Sequence, residues 1–275
     1  MSARDLVVAS PDGTPIAVFR SGTIAAPPLL LVHGASADHT TFRVLAPLLT
    51  PTFDLYAIDR RGRGASGDAT PYSIEREFED IATVAEDVAR RRDVASVDVF
   101  GHSYGGRCAL GAALRTGVIR RVISYEGAPA APGQRYGDAA LAQELLSMAS
   151  DGRHEALLST FLERVVGMSV DDLAAYRADP VWPRRVAAAG TIARELTVEA
   201  SDAAGLERLG AVRQPVMQLL GGDSLPAFAA ATRALDARLT SGSIVVITGA
   251  RHAAHHTHPA AVLRAVQRFL IPLAM

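Results

Sequence analysis

Short apolar runs alternate with longer amphipathic segments along most of the chain, and this alternation predicts strands that alternate with helices. Pro28–Val32 is apolar throughout, as expected of a strand buried on both faces of a parallel sheet. Behind Ser73, a residue type that caps helices, Ile74 and Phe78 begin an apolar repeat at helical spacing. The predicted strands are 6–9, 16–19, 28–32, 53–58, 97–100, 118–125, 215–220 and 243–247, and the predicted helices between them are 42–48, 73–92, 108–114, 226–239 and 259–270.

The alternation breaks once, between about residues 130 and 213, where the patterns are helical and no convincing strand occurs. A strand–helix alternation with one helical interruption predicts an α/β fold, a mainly parallel central sheet with helices on both faces and an inserted helical lid. We expect residues 1–129 and 213–275 to form the core and residues 130–212 to form this lid or cap, called the helical insert below. Its predicted helices are Ala139–Ala149, Glu155–Val166, Val170–Arg177 and Val186–Ala200.

Composition narrows the class of protein. The 275 residues are 49% hydrophobic and carry a net charge of −1, so nothing favours nucleic acid or an anionic membrane as a partner. No apolar run is long enough to cross a bilayer, and Met1–Asp5 reaches the first strand too quickly for a signal peptide. The single cysteine, Cys108, excludes an internal disulfide. We expect a cytoplasmic protein; its oligomeric state stays open.

A Gly-x-Ser-x-Gly motif, from Gly101 to Gly105, lies where the predicted strand 97–100 passes into a helix. In this context the motif is typical of a nucleophile elbow, a turn so tight that neighbouring side chains must nearly vanish. Ser103 would then sit at a helix amino end, where backbone N–H groups favour negative charge. A glycine-rich turn with a helix-capping serine would show the same motif, but the flanking strand and helix favour a catalytic serine.

Three further motifs follow predicted strands: His33-Gly34, the glycine-rich stretch from Asp59 to Ser66, and Gly249–His252. Together with the elbow, and in this order, they resemble the α/β-hydrolase superfamily. The insert resembles no cap that can be named, and the Asp59–Ser66 stretch is interpreted as a structural turn that holds Arg61.

The resemblance implies a set of catalytic roles. Ser103 would be the nucleophile and His252 the base that takes its proton, because a serine hydroxyl is a poor nucleophile without one. The backbone N–H groups of Ala35 and Tyr104 would form the oxyanion hole. No metal or organic cofactor is expected.

Several histidines surround the proposed base. His255, His256 and His258 form a His-x-x-His-His-x-His cluster with His252, which could be interpreted as a metal site. The cluster contains no carboxylate or thiol, and a metal site would leave the elbow unexplained. We therefore expect these three histidines to begin the final helix or to face solvent.

The third member of a catalytic triad has two candidates. The commonest family pattern places an aspartate three residues beyond a glycine after the strand that follows the cap, but Ser224 occupies that position and Asp223 lies one residue early. Other branches carry the acid after the strand that follows the elbow helix, where Glu126 stands. The sequence slightly favours Glu126 and leaves Asp223 open.

The resulting prediction is a serine hydrolase that acts on an ester, a lactone or a similar small apolar acyl substrate. The same architecture also serves carbon–carbon bond hydrolases, hydroxynitrile lyases, cofactor-free perhydrolases and small-ligand receptors without turnover, so the fold does not fix the reaction. Apolar side chains of the insert could line an acyl pocket or pack within the insert; they are Met148, Phe161, Met168, Tyr176 and Trp182.

Overall fold

One sheet of eight strands organises the structure, a computed structural model that describes residues 6–198 and 201–271. The order across the sheet is β1-β2-β4-β3-β5-β6-β7-β8. Strands β1 and β2 pair antiparallel, β2 pairs antiparallel with β4, and the remaining pairs are parallel. The strands are β1 (Leu6–Ala9), β2 (Pro15–Ser21), β3 (Pro28–Val32), β4 (Asp54–Ile58), β5 (Val97–His102), β6 (Ile119–Tyr125), β7 (Val216–Gly221) and β8 (Gly242–Ile247).

Helices connect the parallel strands, and the predicted α/β fold is confirmed. Two short 3₁₀ turns, His39–Phe42 and Asp202–Ala204, accompany the α-helices. No helix of the described residues is long and apolar enough to cross a membrane. The α-helices are α1 (Ala46–Leu49), α2 (Ile74–Arg92), α3 (Tyr104–Ala113), α4 (Ala139–Ser150), α5 (His154–Arg164), α6 (Val170–Arg177), α7 (Trp182–Ala188), α8 (Thr191–Val198), α9 (Leu206–Gly210), α10 (Pro226–Asp236), α11 (Ala254–Thr257) and α12 (Pro259–Leu270).

Two apolar clusters sandwich the sheet. One contains side chains of α2 and α3, among them Phe78 and Leu110, against strand residues such as Val99. The other contains side chains of α1 and α12 against Phe100, the next residue of β5. Successive side chains of a strand point to opposite faces, so β5 contributes to both layers. Its carboxyl end therefore lies at the centre of the sheet's edge, between β3 and β6.

All regular structure in the described part of the chain between β6 and β7 is helical. The helix predicted over Val186–Ala200 is instead two helices, α7 and α8, separated at Ala189-Gly190; residues 199 and 200 lie outside the described residues. A third apolar cluster holds α4 to α8 together around Trp182. Leu206 and Leu209 of α9 pack in the cluster of α2 and α3, so the packing of the insert ends before the predicted boundary at 212.

The helix predicted over 42–48 is also shorter than expected. The chain forms the 3₁₀ turn and then one turn of α1, with Pro47 near its start. Phe42 and Leu45 are buried as the pattern requires, whereas Leu48 is exposed.

Candidate active site

Ser103 occupies the turn between β5 and α3, with φ 53° and ψ −128°, a backbone conformation that L-residues rarely adopt. The turn is tightly packed. A Cβ atom added to Gly101 would lie 2.4 Å from the carbonyl oxygen of Gly105, and one added to Gly105 would lie 2.2 Å from that of His33. Both glycines of the motif are thus required by space, and the strain at Ser103 is held by the packed strand and helix around it.

The loop after β3 lies directly against this serine. A Cβ atom added to Gly34 would lie 3.0 Å from the Cβ of Ser103, which places the following residue, Ala35, beside the turn. Ala35 and Tyr104 both line the cavity that contains Ser103. Tyr104 is the first residue of α3, and the first N–H groups of a helix have no partner within the helix.

His252 and Glu126 are joined by a buried hydrogen bond. The His252 Nδ1 to Glu126 Oε2 distance is 2.5 Å, and both residues are at most 5% exposed. The other carboxylate oxygen, Oε1, accepts from the backbone N–H of Gly221 at 2.7 Å and from the Ser224 hydroxyl at 2.6 Å. Glu126 follows the last residue of β6 and has φ 47°. Its carboxylate is held on one oxygen by Gly221 and Ser224 at the end of β7, and on the other by His252 in the loop after β8.

Asp223, the other candidate acid, lies elsewhere. Asp223 is exposed, and its backbone N–H donates to the carbonyl oxygen of Ala250. Its carboxylate makes no hydrogen bond with any residue in 6–198 or 201–271. The structure brings Glu126 rather than Asp223 to His252. Ser224, at the position where the commonest family pattern has an aspartate, instead holds the Glu126 carboxylate.

The neighbouring histidines differ from the sequence-based expectation. His255 is buried and His256 is half-buried, and both belong to the separate short helix α11 rather than to the start of the last helix; His258, also half-buried, stands directly before α12 as its N-cap residue. The ring of His102 lies 4.3 Å from that of His255 and 4.7 Å from that of His252, centroid to centroid. The His255 ring packs against Phe42 and Tyr125 at the sheet's edge, and this contact turns the short helix inward.

Burial keeps these inner rings uncharged. It lowers the pKa values of His102 and His255 well below the ordinary histidine range. Burial, with the charges of Arg43 and Arg185, lowers the pKa of His256 to about 4. The uncharged His102 ring donates from Nε2 to the backbone carbonyl oxygen of His252 at 2.8 Å. This hydrogen bond fixes the segment that carries the proposed base. Apart from the position of His102 next to Ser103, nothing in the sequence indicates this contact.

The glycine-rich turn after β4 holds Arg61 in place, as its interpretation as a structural turn predicts. The Arg61 guanidinium is fully buried and pairs with Asp80 at 2.7 Å and Asp12 at 2.9 Å. Arg60 and Arg63 are also buried, and both contact Glu195 of α8 in the insert. The sequence carries no signal of these contacts, because three arginines among glycines are also typical of an exposed loop.

Two connected spaces meet at Ser103. The first, called the inner chamber, has a volume of about 60 Å³ and is closed by side chains of the insert and of α10. The second, called the outer cleft, has a volume of about 650 Å³ and runs between the insert and the core. Ser103, Ala35 and His252 line both.

The five insert side chains singled out from the sequence divide between pocket and packing. Phe161 lines both spaces, and Met168 and Tyr176 line the outer cleft. Met148 and Trp182 are buried in the insert's own apolar cluster.

Asp38, His39 and Asp59 form the one group within the described ranges whose ligand atoms lie close enough together to hold a metal ion. Each of these carboxylates already has partners: Asp59 accepts from His39 at 2.8 Å, and Asp38 accepts from Arg185 at 2.8 Å. The donors around them are those of a structural network.

Comparison with known proteins supports the architecture. The sequence model of the alpha/beta hydrolase family matches residues 29–265. The structure of an alpha/beta hydrolase from Sphaerobacter thermophilus superposes with a TM-score of 0.80 at 29% identity, covering 96% of this chain and 99% of that one.

Two curated relatives match at the level of sequence. A 2-(acetamidomethylene)succinate hydrolase from Mesorhizobium japonicum is 25% identical in an alignment of 257 positions that covers 89% of this chain and 88% of the relative. A probable oxidoreductase, EphD, from Mycobacterium tuberculosis is 30% identical over 122 residues, 43% of this chain. The match spans only 20% of the length of that oxidoreductase.

Proposed function

Because this chain belongs to the alpha/beta hydrolase family, we propose that it is a serine hydrolase that cleaves an ester, a lactone or a similar small acyl substrate. The observation that carries the proposal is the buried His252–Glu126 contact in the wall of the cavity that holds Ser103. A carboxylate on Nδ1 holds the neutral imidazole in the tautomer whose Nε2 lone pair is free to accept a proton.

The first half-reaction acylates the serine. Ser103 Oγ attacks the substrate carbonyl carbon while His252 Nε2 takes the hydroxyl proton. Negative charge moves to the carbonyl oxygen, where the backbone N–H groups of Ala35 and Tyr104 stabilise it. When the bond to the leaving oxygen breaks, His252 returns the proton to that oxygen, and the acyl group stays on Ser103.

The second half-reaction releases the acid. His252 takes a proton from a water molecule, whose oxygen attacks the acyl carbon, and the ester bond to Ser103 then breaks as the serine oxygen regains the proton. Glu126 keeps its charge throughout, since its work is to orient the imidazole and to stabilise the imidazolium as it forms. Its two hydrogen bonds from Gly221 and Ser224 hold it in place for this.

The two spaces support a small acyl group. The inner chamber, at about 60 Å³, is far smaller than the outer cleft and favours a short acyl group. The 650 Å³ outer cleft has room for a much larger leaving portion. The name of the Mesorhizobium relative contains an acetamido group, which carries a two-carbon acyl unit of the size that the inner chamber admits.

The test uses p-nitrophenyl esters of graded acyl length with the wild type and Ser103→Ala. We expect acetate to be hydrolysed with a higher kcat/KM than hexanoate or decanoate, and Ser103→Ala to lose about 10⁴- to 10⁶-fold in kcat. A fluorophosphonate probe should label the wild type once and the alanine variant not at all. Undiminished hydrolysis or labelling of Ser103→Ala refutes the proposed nucleophile. Labelling without turnover of any ester favours a carbon–carbon hydrolase, a lyase or a receptor.

A further inference from the structure

The Arg60 guanidinium contacts the backbone on one side of the proposed oxyanion hole, the ring of Tyr104 on the other, and a carboxylate of the insert behind them. We propose that Arg60 and Glu195 are positioning residues that set the strength of the oxyanion hole and couple it to the seating of the insert. The proposal rests on the proposed function, because it concerns how the same site stabilises a developing oxyanion.

The first contact is with the peptide group that carries one oxyanion donor. Arg60 Nη1 donates to the carbonyl oxygen of Gly34 at 3.2 Å, and this carbonyl belongs to the same peptide as the N–H of Ala35. A positive donor on the oxygen of a peptide polarises the group and strengthens its N–H as a donor. The contact also fixes the direction in which that N–H points, which is what preorganisation requires.

His33 adds a second donor to the same oxygen. The backbone N–H of Arg60 donates to His33 Nε2 at 2.9 Å, so the ring hydrogen is on Nδ1, which lies 2.8 Å from the Gly34 oxygen. Burial, together with the charge of Arg60, lowers the pKa of His33 to about 3, and the ring stays in this neutral form. Residue 60 therefore acts on the Gly34–Ala35 peptide directly and through the His33 ring.

The second contact is with the residue that carries the other donor. The guanidinium carbon of Arg60 lies 4.7 Å from the centroid of the Tyr104 ring, a distance at which a cation is attracted to the ring. The Tyr104 hydroxyl is 3.2 Å from that of Tyr72, which donates to Glu77 at 2.8 Å. The first residue of α3 is thus held against the same cation that polarises the Gly34–Ala35 peptide.

The third contact reaches the insert. Arg60 Nη2 lies 2.7 Å from Glu195 Oε1 and 2.7 Å from Glu77 Oε1, and Nε donates to Glu77 Oε2 at 2.7 Å. These three residues are at most 4% exposed. Glu77 holds Nε and Nη2, and Glu195 adds the second carboxylate that balances the buried charges of Arg60 and Arg63, so the charge balance at Arg60 depends on Glu195 being in place. Glu195 also lines the inner chamber, and a seated insert therefore completes the network around the oxyanion hole.

The test compares Arg60→Gln, Arg60→Lys and Glu195→Gln with Arg61→Gln. Arg61 is an equally buried arginine with two carboxylate partners, but its guanidinium contacts neither Gly34 nor Tyr104. Removing an oxyanion donor outright costs about 10²- to 10³-fold. We expect a loss of polarisation to cost less, about tenfold in kcat for Arg60→Gln and a few-fold for Glu195→Gln, with KM within about threefold. The lysine variant should recover part of the loss, since an ammonium can still donate to the carbonyl.

Two readouts separate positioning from a loss of folded protein. Affinity for a trifluoromethyl ketone, whose tetrahedral adduct places an oxyanion in the hole, should fall in parallel with kcat. Without any catalysis, the amide proton of Ala35 should move upfield in Arg60→Gln and in Glu195→Gln. That resonance belongs to one of six Gly–Ala pairs in the sequence, so glycine ¹³C′ with alanine ¹⁵N labelling isolates it in a small spectrum.

The outcomes are distinct. An unchanged Ala35 resonance, together with unchanged ketone affinity in both Arg60→Gln and Glu195→Gln, overturns the proposal, and so does an equal loss in Arg61→Gln. Should Arg60→Gln fail to fold, Glu195→Gln alone decides. If the wild type shows no Ser103-dependent turnover or labelling, the proposed function has failed, whereas the Ala35 shift still reports whether Arg60 polarises the peptide.

Discussion

The core sheet and the helical insert are packed internally in the same way, but they are joined to each other differently. Each has an apolar interior: two clusters sandwich the sheet, and a third holds α4 to α8 together around Trp182. Between them lie several ion pairs. Glu195 meets Arg60 and Arg63, and Arg185 meets Asp38 at 2.8 Å.

These ion pairs are not equal. Glu195 and Arg185 are at most 4% exposed, whereas the side chains of Arg43 and Asp179, which pair at 2.5 Å, are each about a third exposed. Exposed pairs contribute about 1 kcal/mol or less, but breaking a buried pair leaves an uncompensated charge. The sheet thus holds the proposed reacting groups at its strand ends, while a few buried charges fix the insert against the core.

The largest effect is expected within the core, at the acid. Glu126→Gln should lower kcat by about 10⁴-fold, because the amide no longer holds His252 in the productive tautomer or stabilises its charged form. Steady-state hydrolysis of p-nitrophenyl acetate measures the loss. Asp223→Asn, which removes the exposed candidate carboxylate, is the matched control and should keep most of the activity. The reverse pattern would assign the acid to Asp223.

The next largest effect is expected at the seam, the ion pairs between the core and the helical insert. Asp38→Asn leaves the buried Arg185 guanidinium without its carboxylate and should reduce the free energy of unfolding by about 3–5 kcal/mol. Asp179→Asn breaks the partly exposed pair with Arg43 and should reduce the free energy of unfolding by about 1 kcal/mol or less. Urea unfolding compares the two. Equal losses would mean that burial does not decide the strength of this seam.

Within the insert, the inner chamber should set acyl length. Ile192 is fully buried and lines the chamber, so Ile192→Ala should raise the ratio of kcat/KM for hexanoate to that for acetate by about tenfold or more. Leu173→Ala is the matched control, because it removes a similar volume from the insert's apolar cluster at a residue that lines neither space. A ratio that changes equally in both variants would attribute the effect to a loosened insert rather than to chamber volume.

The smallest effect concerns pH. The pKa of His256, about 4 in the folded protein, is below the unfolded value of about 6.5. The unfolded chain therefore binds more protons between these values, and stability must fall as pH falls from 6.5 towards 4, by up to about 1.4 kcal/mol per pH unit for this ring. His256→Gln should flatten the slope of unfolding free energy against pH. His258→Gln, at the half-buried ring before α12, is the matched control, and a slope that flattens equally in both variants would contradict the assignment to His256.

The sequence by itself determined most of the elements and the tight turn at Ser103, because these depend on local patterns. Apolar runs and helical periodicity are read over a few residues, and the steric demand for Gly101 and Gly105 arises within one turn. The same locality explains the errors. One continuous helix was expected where Gly190 separates α7 from α8, since the apolar repeat continues across the break.

Only the tertiary structure showed that Glu126, and not Asp223, contacts His252, and only it placed His255 inside. Glu126 meets His252 across 126 residues of chain because β6, β7 and β8 are neighbours in the sheet, and the Gly221 N–H and the Ser224 hydroxyl then fix its carboxylate. Arg60 and Glu195 are 135 residues apart in sequence. Such pairs of charges carry no periodic signal, since a charged residue looks the same in sequence whether solvent or a buried partner satisfies it.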